Sequence, residues 1–125
     1  IKIYFSLGKE YSFMSNEMYI DIEDALNRFK GNQSLYKTLL SSFQDNTYFE
    51  QLKLWISENK IEAAASTSHT IKGVAGNLSL TSLYQISTRL NIELRNGTDY
   101  KKSFKEMEQI YINTMEQIEL LMKSL

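Results

Sequence analysis

The run from His69 to Leu78 combines the only histidine of the chain with a lysine and two glycines at helical spacing. At about 100° per residue, Lys72, Gly73 and Gly76 fall within roughly 60° of His69 on a helical wheel. The apolar residues of the run fall on the opposite side, at roughly 180° to 240°: Ile71, Ala75 and Leu78. The sequence therefore predicts one buried face. It predicts a second face on which a partner protein could reach an imidazole beside an ammonium and two residues without side chains.

Several kinds of chemistry are open to a lone histidine in a helical protein. Partial burial as a packing or capping residue is the commonest, but His69 lies opposite the apolar stripe. A zinc site needs three or four ligands, and the chain has no second histidine and no cysteine. General acid–base catalysis needs an orienting carboxylate, and Glu58 and Glu62 do not obviously reach the ring. Nucleophilic use fits best: neutral imidazole is a good nucleophile near pH 7, and Lys72 would later offset the charge of a bound phosphoryl group.

A second polar set follows on the next predicted helix, at spacings of four, three and four: Tyr84, Thr88, Asn91 and Arg95. It is either an ordinary solvated face or the adjoining half of a docking surface that includes Gly73 and Gly76. Each glycine costs a helix interior roughly 1 kcal/mol relative to alanine. Because both flank the histidine and not the apolar stripe, we interpret them as clearance for a partner. The competing explanation is close helix packing, and Lys72 itself could be an ordinary surface lysine.

Composition restricts the class of protein. The 125 residues are enough for one domain with a hydrophobic core, and 42% hydrophobic and 23% charged residues are typical of globular proteins. A net charge of -1 gives no reason to expect nucleic acid. No apolar run is long enough to span a membrane, so we expect no membrane contact by this domain. The absence of cysteine is compatible with a reducing cytoplasm.

The chain contains no proline, so long helices are uninterrupted. We predict a short helix over 20–30, then four long amphipathic helices: 34–59 with a possible kink at 44–47, 60–78, 81–96, and 98 or 99 to the C-terminus. The predicted N-caps are Asp21, Ser34 and Thr81. This pattern predicts an all-α fold, an antiparallel up-down-up-down four-helix bundle with a short extra N-terminal helix.

The predicted core residues of the four long helices follow the apolar spacing. They are Tyr36, Leu39, Leu40, Phe43, Leu52, Trp55 and Ile56; Ile61, Ala64, Ser68, Ile71, Ala75 and Leu78; Leu83, Ile86, Leu90 and Leu94; and Phe104, Met107, Tyr111, Thr114, Ile118, Leu121 and Leu125.

Residues 1–19 are treated as an N-terminal extension to a bundle domain over 20–125. Residues 1–5 are strand-like, and residues 7–10 are typical of a turn. Met14 could be a native start position, which would make residues 1–13 vector-derived; the segment could equally be a linker from an upstream domain. We attach no function to it.

The run 69–78 closely resembles the signature of histidine-containing phosphotransfer (HPt) domains, H-x-[IL]-K-G-x-x-G-N-[IL]-G. Residues 20–43 and 83–97 also resemble the helices that flank the signature in that family. The resemblance implies that His69 is the phosphoacceptor, through Nε2, and that Lys72 and Gly73 match the lysine and glycine of the family. Asn91 stands where several members carry a glutamine. Ser79 departs from the glycine that commonly follows the Asn-Leu pair, so we expect a local difference in the connection after this helix.

The resemblance implies a phosphorelay intermediate. It would take a phosphoryl group from the aspartate of one response-regulator receiver domain, or from a parent hybrid or chemotaxis kinase, and pass it to another receiver. The receiver would supply Mg²⁺ and an acidic pocket, so no cofactor is expected here. The chain is not an ATP-dependent kinase by itself, since it has no Gly-rich nucleotide loop and Thr70 follows the histidine. The alternative is a non-catalytic helical adaptor, a degenerate HPt domain whose His69 face only docks a partner.

Overall fold

A short hairpin precedes the helices in the computed structural model, which describes residues 4–7, 10–13 and 19–125. Strand β1 covers Tyr4–Leu7 and strand β2 covers Glu10–Phe13. They pair antiparallel, with Tyr4 opposite Phe13 and Leu7 opposite Glu10. The strand expected over residues 1–5 therefore begins at residue 4 within the described chain. The centre of the expected turn, residues 8 and 9, lies outside the described residues.

Six helices follow, one more than the sequence pattern predicts, because one predicted helix is divided in two; the outer bounds otherwise agree to within a few residues. They are α1 (Ile22–Arg28), α2 (Gln33–Gln44), α3 (Tyr48–Ser57), α4 (Ile61–Asn77), α5 (Thr81–Asn96) and α6 (Lys101–Ser124). Helix α4 packs against α3 and α5, α5 packs against α6, and α2 packs against α6. The described part of the chain is thus a helical bundle with the predicted short extra helix at its start.

The predicted helix over 34–59 is two helices. Asn46 interrupts it: its side-chain nitrogen donates to the carbonyl of Phe43, and its Oδ1 accepts from the backbone N–H of Tyr48 at 2.8 Å. One asparagine thereby satisfies backbone groups at the end of α2 and at the start of α3. The kink expected at residues 44–47 is in fact a full break.

Two of the predicted N-caps are wrong. Asp21 does cap α1, because its Oδ1 accepts from the N–H of Asp24 at 3.0 Å. Helix α2 is capped by Asn32 and not by Ser34, since the helix begins before the serine. Thr81 is the first residue of α5, and Leu80 holds the cap position without a side-chain hydrogen bond.

Glycine residues in the left-handed conformation lie after the ends of two helices. Gly97 directly follows α5 and Gly31 is the third residue after α1; their φ values of 68° and 77° are the left-handed conformation that glycine adopts at little cost. Helix α6 begins slightly later than expected, at Lys101, whose backbone N–H donates to Oδ1 of Asp99 at 3.0 Å.

The core contains most of the residues that the helical period selects. The fully buried ones include Tyr36, Leu40, Leu52, Ile71, Leu83, Leu90, Met107, Thr114 and Ile118. Leu39 is an error of that selection: its side chain is 37% exposed, because it lies with Leu35 on the flank of α2. The apolar residues of α4, Ile71, Ala75 and Leu78, are buried as predicted. Their burial turns the opposite face of the helix outward.

Candidate functional site

His69 is exposed on α4, as the two-sided wheel predicts. Its neighbours Ser68 and Ile71 are buried, with 0% and 1% exposure, and Ala75 is buried one turn further on. Burial of those side chains against the other helices fixes the rotation of α4. The imidazole is consequently held outward in the interior of a 17-residue helix and not on a loop.

The α4–α5 pair that supports the histidine is joined by Asn91. Its Nδ2 donates to the carbonyl of Ala65 at 2.7 Å and to Oγ of Ser68 at 3.1 Å. Its Oδ1 accepts from Nε of Arg95 at 3.1 Å. Asn91 is only 8% exposed, so it lies in the interface between the helices, and not on the exposed docking face that its spacing predicted. It ties α5 to the turn of α4 that precedes His69.

Lys72 and Tyr84 meet on the face that carries His69. The Lys72 Nζ lies over the Tyr84 ring, 5.9 Å from its centroid, within the range of a cation–π contact. The same ring explains Gly76: a Cβ at that position would lie 3.2 Å from Cδ2 and 3.3 Å from Cε2 of Tyr84. Gly76 therefore packs closely against Tyr84, which favours the packing explanation over partner clearance at this position.

Gly73 has the opposite environment. Among the described residues, a Cβ built at this position would meet nothing within 4 Å, apart from its chain neighbours and its own helix backbone. Packing therefore does not explain a glycine at position 73, one turn after His69. Clearance for a partner stays a prediction for this position.

A groove of about 530 Å³ runs beside the histidine. It brings together five of the predicted site residues: His69, Lys72, Gly73, Gly76 and Tyr84. The other three lie elsewhere. Thr88 donates its hydroxyl to the Tyr84 carbonyl at 2.8 Å, and Asn91 and Arg95 lie further along α5.

The groove is also lined by residues of α1 and of the α4–α5 connection, which sequence reasoning did not include and which we call its α1 wall. These residues include Asp24, Arg28 and Ser79. Ser79 has a φ of 58°, so a serine takes the left-handed conformation where the family signature has glycine. Its hydroxyl donates to Oδ2 of Asp24 at 2.7 Å, and its carbonyl accepts from the N–H of Asp21 at 2.9 Å. These two bonds attach α1 to the connection and offset the strain of the serine backbone.

Asp24 is the charged centre of this wall. Nε of Arg28 donates to the same Oδ2 at 2.8 Å, in an ion pair between residues four apart on α1. The hydrogen bonds from Arg28 and from Ser79 lower the pKa of the Asp24 carboxyl below its ordinary value, because both stabilise its charged form. The sequence signal for this feature was only the spacing of Asp24 and Arg28, which is common on solvated helices.

Two negative observations concern the described residues. No three of their histidine, aspartate or glutamate side chains are grouped so that they could hold a metal ion. None of their helices combines the length and the apolar character needed to cross a bilayer.

Fold and site together define a class of protein: a helical bundle that presents one exposed imidazole, with an ammonium beside it, above an open groove. Residues 34–120 match the family model of the Hpt domain. The chain therefore belongs to the Hpt domain family, whose members carry out histidine phosphotransfer in two-component phosphorelays and interact with response-regulator receivers and kinases. Comparison with curated proteins and with solved structures gives no match.

Proposed function

We propose that His69 is the phosphoacceptor of a phosphorelay, taking a phosphoryl group from a receiver aspartate or a kinase and passing it to another receiver. The strongest support is the exposed ring of His69, which lies on the face of α4 opposite the buried apolar stripe. The chain also belongs to a family of phosphotransfer domains. An exposed ring on a rigid helix can be approached in line by a docked aspartyl phosphate.

The transfer needs one bond to form and one to break. The lone pair of Nε2 forms an N–P bond while the P–O bond to the receiver carboxylate breaks, and the carboxylate keeps the electron pair. Mg²⁺ belongs to the partner receiver, and the chain itself needs no cofactor. Lys72 offsets the negative charge that then lies on the ring, and its place over the Tyr84 face keeps the ammonium on that side of α4.

The surface around the ring serves as the receiver-docking site. Gly73 leaves room beside the imidazole, and Tyr84 offers a 40% exposed aromatic face next to Lys72. Thr88 and Arg95 extend this docking surface along α5, beyond the groove. Because the chain must exchange partners, this contact is small and transient. We place the exchange in the cytoplasm, where receivers meet their kinases.

For the bundle itself we propose the up-down-up-down arrangement, with α2 and α3 together forming the first arm and α4, α5 and α6 the other three. The three residues between α4 and α5 favour an antiparallel pair. The packing of α2 against α6 brings the first and last helices of the bundle together. Residues 20–125 would then form the domain, and 1–19 an extension to it.

The test is transfer of labelled phosphate. Receiver domains phosphorylated with acetyl phosphate are mixed with this protein and Mg²⁺, and acid-labile, base-stable label is measured on the chain. We expect label on the wild-type protein and none on His69→Gln. Phosphoramidate, a small donor, provides a second route that requires no receiver. Absence of label with every donor would favour the alternative, a non-catalytic adaptor that docks a receiver without accepting its phosphate.

A further inference from the structure

Arg28 lies at the end of α1 and lines the groove that contains His69. Its ion pair with Asp24 uses Nε alone. Within the described part of the chain, the two terminal nitrogens of its guanidinium have no hydrogen-bond partner, and the side chain is 51% exposed. A cation is therefore present on the α1 wall with four of its five N–H donors available.

The position of this cation is fixed more firmly than that of an ordinary surface arginine. Asp24 accepts from Arg28 and from the Ser79 hydroxyl on the same oxygen. The backbone bond from Asp21 to Ser79 holds the start of the helix against the α4–α5 connection. The carboxylate therefore orients the guanidinium from the start of α1, which two hydrogen bonds attach to Ser79 in the connection that follows the helix carrying His69.

We propose that Arg28 is a specificity-determining residue for phosphotransfer, which binds a carboxylate of the docked receiver domain beside the phosphorylated aspartate. This inference rests on the proposed function. A guanidinium with free terminal nitrogens matches a carboxylate in a planar, two-point contact. Under the proposed function, the partner that approaches His69 is a receiver with an acidic pocket, and Lys72 and Arg28 both line the groove beside His69. Receivers with an acidic side chain at that point are preferred over those without one.

The experiment compares Arg28→Gln with a matched control, Arg89→Gln. Arg89 forms the same kind of surface ion pair, with Glu106, and is 52% exposed, but it lines a separate groove between α5 and α6. For each variant we would measure kcat and KM with a phosphorylated receiver, and the rate with phosphoramidate. We expect Arg28→Gln to raise KM for the receiver about tenfold at low ionic strength, an effect that shrinks as salt is added. Arg89→Gln should leave KM unchanged.

The ratio of receiver-dependent to phosphoramidate-dependent rates separates docking from chemistry. It should fall about tenfold in Arg28→Gln only, which corresponds to about 1.4 kcal/mol. Equal KM values for the two variants would overturn the inference while leaving the function of His69 intact. If the wild-type chain accepts phosphate from neither donor, the proposed function fails and the inference fails with it. Circular-dichroism melts of both variants provide the check on folding.

Discussion

The two glycines of α4 offer a comparison in which the same substitution should have different results. Changing either to alanine removes the backbone cost of glycine in a helix interior, a gain of about 1 kcal/mol. At Gly73 the new methyl group meets nothing within 4 Å, so the whole gain should be realised. For a domain of this size that raises the melting midpoint by about 4 °C.

At Gly76 the same methyl group would lie 3.2 Å from the Tyr84 ring, which must move by a few tenths of an ångström. The ring is 40% exposed and can move, but it then loses part of its contact with the Lys72 ammonium. An exposed cation–π contact contributes about 0.5–1 kcal/mol. Losing part of that contact offsets up to about half of the helix gain, so we expect Gly76→Ala to raise the free energy of unfolding by about 0.5 kcal/mol, less than Gly73→Ala does.

Urea titrations followed by far-ultraviolet circular dichroism would measure the free energy of unfolding of both variants, alone and with Tyr84→Ala. Once the ring is removed, the two alanine substitutions should stabilise the protein equally. Phosphotransfer from a receiver adds a functional measurement: Gly73→Gln should remain folded but transfer more slowly, because its side chain stands beside the imidazole. Equal gains in the presence of Tyr84, or a loss of stability in Gly73→Ala, would refute the assignment of clearance to one glycine and packing to the other.

Three further predictions concern the groove and its support. His69→Gln should change the free energy of unfolding by less than about 0.5 kcal/mol in a thermal melt, because the ring is exposed; a midpoint lower by several degrees would reveal a packing role. Asn91→Ala should cost about 1–3 kcal/mol in urea titrations, because it removes the two buried hydrogen bonds from its amide to α4, each worth about 0.5–1.5 kcal/mol, whereas Arg95→Ala should cost little. A carbon-detected NMR titration should place the pKa of Asp24 below its ordinary value of 3.8, so that the stability contributed by its hydrogen bonds is present above pH 3.8 and lost as the pH falls through the lowered pKa. Ser79→Ala should move the pKa of Asp24 upward, and an unchanged pKa would show that the hydroxyl does not hold the carboxylate.

The face of α4 could be predicted because its cause is local. Ile71, Ala75 and Leu78 recur at helical spacing, and burying them leaves only one direction for His69. The signature residues lie on the same helix, so their relative positions follow from the helical rise and turn. Long, strongly periodic segments carry this information within the sequence itself.

Asn91 shows where such reasoning ends. On the α5 wheel it belongs with Tyr84 and Thr88, and a polar side chain at that position normally faces water. Its burial depends on the small side chains of Ala65 and Ser68, which let α5 approach α4 closely enough for the amide to bridge them. The α1 wall was missed for a similar reason, since its place beside His69 depends on one serine in a left-handed conformation more than fifty residues away from Asp24.

The chain has one histidine, and among the described residues the groove beside it is the surface on which we place receiver docking. Under the proposed function, a phosphoryl donor and a phosphoryl acceptor compete for the same surface and cannot occupy it together. The first receiver must leave before the second can arrive, so no ternary complex forms. Initial-rate plots at several fixed donor concentrations should give the parallel lines of a ping-pong scheme, and an excess of unphosphorylated donor should inhibit competitively against the acceptor. The flow of signal through such a carrier is then set by how fast each partner dissociates.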